Sequence, residues 1–71
     1  MNDDFGFYSK KQVSQLVQLS PTHIARLEEA GRFPRRLRLG KHRTSRSVYV
    51  RKEVHEWLLA RIAERDEAQL R

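Results

Sequence analysis

Two helix starts lie close together near the beginning of this chain, and almost nothing separates them. Ser9 and Gln12 form an S-x-x-Q capping box, in which each side chain satisfies the other residue's free backbone N–H. Tyr8 before the cap and Val13 after it have the spacing of a hydrophobic staple, and Val13, Leu16 and Val17 continue as a stripe at i, i+3 and i+4. A first helix is therefore expected to begin after Ser9 and to end near Val17 or Gln18. Ser20 is a second good N-cap, Pro21 suits the first helical position, and Leu19 with Ile24 repeats the staple. Ile24, Leu27 and Ala30 face inward in this second helix, and Gly31 suits the left-handed residue that ends it. Only Gln18 and Leu19 separate the first helix from the second cap. Helices joined by so short a turn must cross steeply, as in a helix-turn-helix unit.

After Gly31 the period changes. Pro34 stops the helix and biases Phe33 toward an extended backbone. Leu37 and Leu39 alternate with Arg36 and Arg38, giving one apolar face. In "SRSVYV", Arg46, Val48 and Val50 point one way while Ser47 and Tyr49 point the other. With "GKHRT" between them, the two runs predict a β-hairpin with a basic tip. A third helix is expected over Arg51–Asp66, with Val54, Trp57, Leu58 and Ile62 on one face and a weak start, because neither Val50 nor Arg51 caps well. Tyr8, Phe33, Leu39 and Trp57 are assigned to the core, with Phe33 plugging the space between the second helix and the hairpin. The expected organisation is an N-terminal tail (1–7), one domain (8–66) and a frayed C-terminal tail (67–71), in a chain of 71 residues.

Charge is unevenly spread along the chain. From Gly31 to Lys52 there are nine cations and no carboxylate, while the whole chain carries +6, so the remainder sums to −3. Such a one-sided field is the footprint of a polyanion partner. The chain has no cysteine, which fits a reducing compartment and excludes a disulfide framework and a thiolate zinc site. His23, His42 and His55 match no common metal spacing, so neither a metal nor a cofactor is expected. No apolar run is long enough for a membrane span, and "MNDDFGFYS" does not read as a signal peptide. A cytoplasmic protein is expected, with no membrane and no small-molecule substrate. No nucleophile–base pair, catalytic carboxylate pair or phosphate loop can be read, so no enzyme is expected.

Helix, tight turn, helix, basic hairpin and helix is the order of a winged helix-turn-helix domain, a mainly α fold with a small β-hairpin as its wing. The major groove of B-DNA admits one α-helix, whose N-terminal residues reach base edges, and a hairpin beside it meets phosphates or the neighbouring minor groove. With Ile24 and Leu27 inside, Thr22, His23 and Arg26 project from the reading half of the second helix. Thr22 suits a phosphate or a thymine methyl, His23 a base or phosphate, and Arg26 the O6/N7 edge of guanine. Ser20 adds the N-terminal phosphate position of that helix, although capping alone accounts for it. In the wing and its flank, Lys41, His42, Arg43, Thr44 and Arg46 form the basic tip, and Arg35 and Arg36 lie between helix and wing. Arg38 has the weaker claim of an exposed strand residue. An RNA-binding or protein-interaction module is the competing class; it would want exposed aromatics, and none can be read here.

The stretches "QVSQLVQLSPTHIARLEEAGRFPRRLRLG" and "VYVRKEVHEWL" resemble the AlpA-like regulators of prophages and genomic islands, which are related to phage excisionases and to the MerR DNA-binding head. The resemblance rests on the order and spacing of "GRFP", "RLG" and Trp57 rather than on one motif. It implies a bacterial, nucleoid-associated protein that binds double-stranded DNA near an integrase attachment site or promoter. It further implies action as an excisionase (a recombination directionality factor) or as a transcriptional activator, with a tyrosine-recombinase integrase as partner and head-to-tail self-association on DNA. The chain departs from its relatives at Gln18, where their turn often has glycine, at Tyr49, where many carry tryptophan, and in a longer, more basic tip.

Overall fold

A serine hydroxyl starts each of the first two helices. A computed structural model describes residues 6–42 and 46–69, in the order β1 (Phe7–Ser9), α1 (Lys10–Val17), α2 (Pro21–Glu29), β2 (Leu37–Arg38), β3 (Ser47–Val50) and α3 (Arg51–Gln69). Ser9 Oγ accepts from the Gln12 N–H at 3.1 Å, and Gln12 Oε1 accepts from the Ser9 N–H at 2.8 Å, completing the expected box. Ser20 Oγ accepts from the His23 N–H at 3.1 Å, with Pro21 in the first helical position. At the far end of α2, Gly31 takes a φ of +72°. Its N–H donates to the Glu28 carbonyl while the Arg32 N–H donates to that of Leu27, the bond pair that closes a helix into a left-handed C-terminal turn.

Between α1 and α2 the left-handed position falls on Gln18, with φ +61° and ψ +36°. Non-glycine residues pay about 1–2 kcal/mol for this conformation. The turn holds it with two local bonds: Gln18 Nε2 donates to the Gln15 carbonyl at 2.9 Å, and the Ser14 hydroxyl donates to the Leu19 carbonyl at 2.6 Å.

The strands form one antiparallel sheet in the order β1-β3-β2. Tyr8 stands opposite Tyr49 and Ser9 opposite Val48, while on the other edge Leu37 faces Val48 and Arg38 faces Ser47. The hairpin is as expected, and the Leu39 N–H donates to the Arg46 carbonyl at 2.9 Å to close it below the tip. The third strand is a finding of the structure. Phe7, placed by sequence in an N-terminal tail, begins it. β1 also mends the weak start of α3, because the Gly6 carbonyl accepts from the Arg51 N–H at 3.0 Å.

Val13, Ile24, Phe33, Tyr49 and Val54 make the core, packed round by Tyr8, Val17, Leu19, Leu27, Trp57 and Leu58. Phe33 is buried as expected. It meets Trp57 edge-on at 4.8 Å between ring centroids and Tyr49 at 5.7 Å, and the Trp57 indole N–H donates to the Arg32 carbonyl at 2.7 Å. The Tyr8 hydroxyl lies 2.6 Å from His55 Nε2, joining the first strand to the last helix.

Several assignments change. Ala30, expected to face inward, is exposed just past the end of α2, and Leu16 of the α1 stripe is 43% exposed. Leu39 is 53% exposed rather than core, because β2 ends at Arg38 and nothing covers the face beyond it. Tyr49 is buried along with Val48, because β3 lies between two strands and the helices cover its Tyr49 side. Ile62 is 45% exposed, since α3 runs past the domain: every described residue from Leu59 to Gln69 is exposed. That helix also continues beyond the expected end at Asp66.

Two substitutions probe this architecture by urea or thermal unfolding. Phe33→Ala removes the ring shared by α2, β3 and α3 and is expected to cost about 3–5 kcal/mol, most of the stability of so small a domain. Gln18→Gly relieves the left-handed turn and is expected to stabilise by about 0.5–1 kcal/mol, raising Tm by roughly 4–8 °C per kcal/mol.

Candidate nucleic-acid interface

The outward surface of α2 is built by its inward one. Burying Ile24 and half-burying Leu27 turns Thr22, His23 and Arg26 to solvent, and all three are exposed. Thr22 and His23 stand in the first turn of the helix, but Arg26, expected on the same N-terminal half, falls in its last turn, because α2 is only nine residues long. Ser20 is exposed but occupied by its cap bond to the His23 N–H.

Arg36 behaves differently from its neighbours. Its Nη2 lies 2.8 Å from Glu28 Oε2 and its Nε donates to the same oxygen at 3.0 Å. The Glu28 side chain is only 11% exposed, and its other oxygen, Oε1, is buried without a hydrogen-bond partner. This contact raises the Arg36 guanidinium pKa further above its usual range. It ties the last turn of α2 to the strand that leads into the wing. Sequence placed Arg36 in a DNA-neutralising role. The structure commits its charge to Glu28 while leaving about a third of the side chain accessible.

Tyr49 lies beside this pair. Its hydroxyl pKa is pushed up to about 12, first by burial and then by the Glu28 carboxylate, with Arg36 pulling the other way. The Glu28–Arg36–Tyr49 group was missed by sequence reading. The available signal was one carboxylate two residues before the helix end, eight residues from an arginine. Spacing alone does not separate that from an ordinary exposed glutamate.

The other cations remain outside. Arg35 is exposed beside Glu28, Glu29 and Arg36, and Arg38 is exposed on β2. Lys41 and His42 are exposed on the bend that follows, and Arg46 is exposed at the return of the hairpin, where its carbonyl accepts from the Leu39 N–H. Arg43 and Thr44 lie outside the described residues. A notch of about 330 Å³ opens beside Thr22, lined by Lys10, Pro21, Thr22, Ile24, Ala25, Arg36 and Tyr49. Among the described residues no group of histidines and carboxylates is placed to hold a metal, and no helix is long and apolar enough to cross a membrane.

Residues 7–62 match the family model described as the prophage CP4-57 regulatory protein (AlpA). The chain belongs to the AlpA family. No curated protein and no solved structure matches it. The match covers β1, α1, α2, both hairpin strands and the first part of α3, and it leaves out the exposed end of that helix. Membership supports a small, phage-associated DNA-binding regulator.

The tyrosine offers a pH test of the buried group. Its hydroxyl is harder to ionise in the folded chain than in the unfolded one, so the stability it contributes is complete below pH 10 and lost as pH rises from about 10 through about 12. Unfolding titrations across that range are expected to fall more steeply for the wild type than for Tyr49→Phe, which has no proton to lose. Equal slopes would remove Tyr49 from the linkage.

Proposed function

We propose that this AlpA-family protein binds duplex DNA with α2 in the major groove and the β2–β3 wing against the adjoining backbone. We further propose that it serves as an excisionase, directing integrase-mediated excision by shaping attachment-site DNA. The observation that carries the DNA reading is the pairing of an exposed Thr22–His23–Arg26 surface with a following stretch of nine cations and no carboxylate. Arg26 is suited to fork onto guanine, and Thr22 and His23 stand one turn before it on the exposed surface of α2. Arg35, Lys41, Arg43 and Arg46 would supply sequence-independent attraction, which depends on counterion release and therefore on salt, and His42 and Thr44 would add hydrogen bonds to phosphate.

The step from binding to excision is mechanical. Duplex DNA has a persistence length of about 150 bp, so bending a short site sharply costs several kcal/mol. A domain of 71 residues makes few base contacts, and several copies bound side by side would supply that energy together. A curved arm lets a tyrosine recombinase bridge sites that a straight duplex keeps apart. The family's description as regulatory favours a second reading, a transcriptional activator of an integrase or prophage gene. In that case the α3 carboxylates Glu53, Glu56 and Glu64 offer a surface for polymerase. Either role places the protein in the bacterial cytoplasm with the chromosome.

Excision by the cognate integrase, run beside a reporter for the neighbouring promoter, separates the two. Stimulated excision with an unchanged reporter supports the directionality factor, and the reverse result supports the activator. Arg26→Ala is expected to cost about 1–3 kcal/mol in binding and to relax preference at one base position. A loss that is equal on all sequences would reduce Arg26 to a phosphate contact.

A further inference from the structure

The notch beside Thr22 lies between the first turns of α1 and α2. Pro21, Ile24, Ala25 and Tyr49 line it together with the polar side chains of Lys10, Thr22 and Arg36. Arg36 is held rigid by Glu28, which fixes one wall. Lys10 is exposed, and among the described residues it has no carboxylate partner. Its position is also one that helix formation does not favour. It opens α1, which has no acidic residue in its first turn, and a cation at that end opposes the helix dipole by about 0.3–1 kcal/mol. An ammonium, a hydroxyl and apolar groups lining one notch match one sugar–phosphate unit, the cation and hydroxyl suiting its anion and the apolar groups its deoxyribose.

We infer that this notch seats a backbone phosphodiester of the bound duplex, with Lys10 supplying the charge that holds it and Thr22 a hydrogen bond. The inference rests on the DNA-binding reading and deepens it. Lys10 lies outside the basic stretch 31–52, so charge segregation along the chain gives no hint of it. The contact would place one strand of the duplex across the starts of both helices and so set how far α2 enters the groove. Lys10 would position the protein on DNA without reading sequence, since phosphate contacts carry no base information.

Lys10→Ala and the neighbouring Lys11→Ala are both solvent-facing changes, suited to comparison on a footprinted target duplex of about two helical turns and on a scrambled duplex of the same length. Binding would be measured against salt concentration. For Lys10→Ala the slope of log K against log salt is expected to shrink by about one, with sequence preference unchanged. Lys11→Ala, absent from the notch, should keep the wild-type slope. Ethylation interference should show one phosphate that matters to the wild type and not to Lys10→Ala. A wild-type slope in Lys10→Ala, or the same loss in both variants, overturns the notch while leaving DNA binding intact. A wild-type protein that does not bind duplex at all overturns the DNA reading itself.

Discussion

Phe33 is the side chain on which the arrangement of the molecule depends. The chain leaves α2 at Gly31, and Pro34 prevents it from coiling further, so the intervening residue is delivered inward on an extended backbone. There its ring meets Tyr49 of the central strand and Trp57 of α3 at once. Edge-on aromatic pairs contribute about 0.5–1.5 kcal/mol each beyond the area they bury. The indole N–H of Trp57 fastens the same corner by its bond to the Arg32 carbonyl. One ring therefore relates the outward face of α2 to the sheet that carries the wing.

Electrostatics work on the same corner. The basic stretch repels itself, which opposes folding. The fold offsets this at one point: among the described residues of that stretch, Arg36 is the cation held by a carboxylate. Glu28 faces inward to take it, and Tyr49 stays protonated beside the pair because burial disfavours its anion. Arg32, Arg35, Arg38, Lys41, Arg46 and Lys52 are exposed, where a polyanion can reach them, whereas Arg51 is half-buried over the Tyr8 ring. Rigidity between helix and wing and attraction for DNA thus draw on the same run of arginines, divided by which way each side chain faces.

Much of the candidate site was legible beforehand because it rests on contacts within a turn of chain. The Ser9–Gln12 box, the Ser20 cap and the Gly31 terminus are bonds between residues three to five apart, and they set where the reading helix starts and stops. Once Ile24 is inward, the exposure of Thr22, His23 and Arg26 follows from helical geometry. At Gln18 only the family resemblance marked the position, as one where related turns often have glycine; its left-handed backbone came from the structure. Other features were not. A three-residue strand at Phe7–Ser9 has too little pattern to declare itself, and it exists because β3 offers an open edge. Leu39 was misread because alternation marks an apolar face without saying that anything will cover it.

Residue identity and spacing alone therefore determined the boundaries of the first two helices, the hairpin, the aromatic plug and the one-sided charge, since each depends on local bonds or on simple periodicity. Only the tertiary structure decided that Tyr8 would meet His55 across 47 positions, that Arg36 would turn to Glu28, and that Lys10 would share a notch with Thr22. The reason is physical: a pairing between distant residues forms only after the chain has paid its loop-closure entropy, and which distant groups then meet is set by how the elements pack.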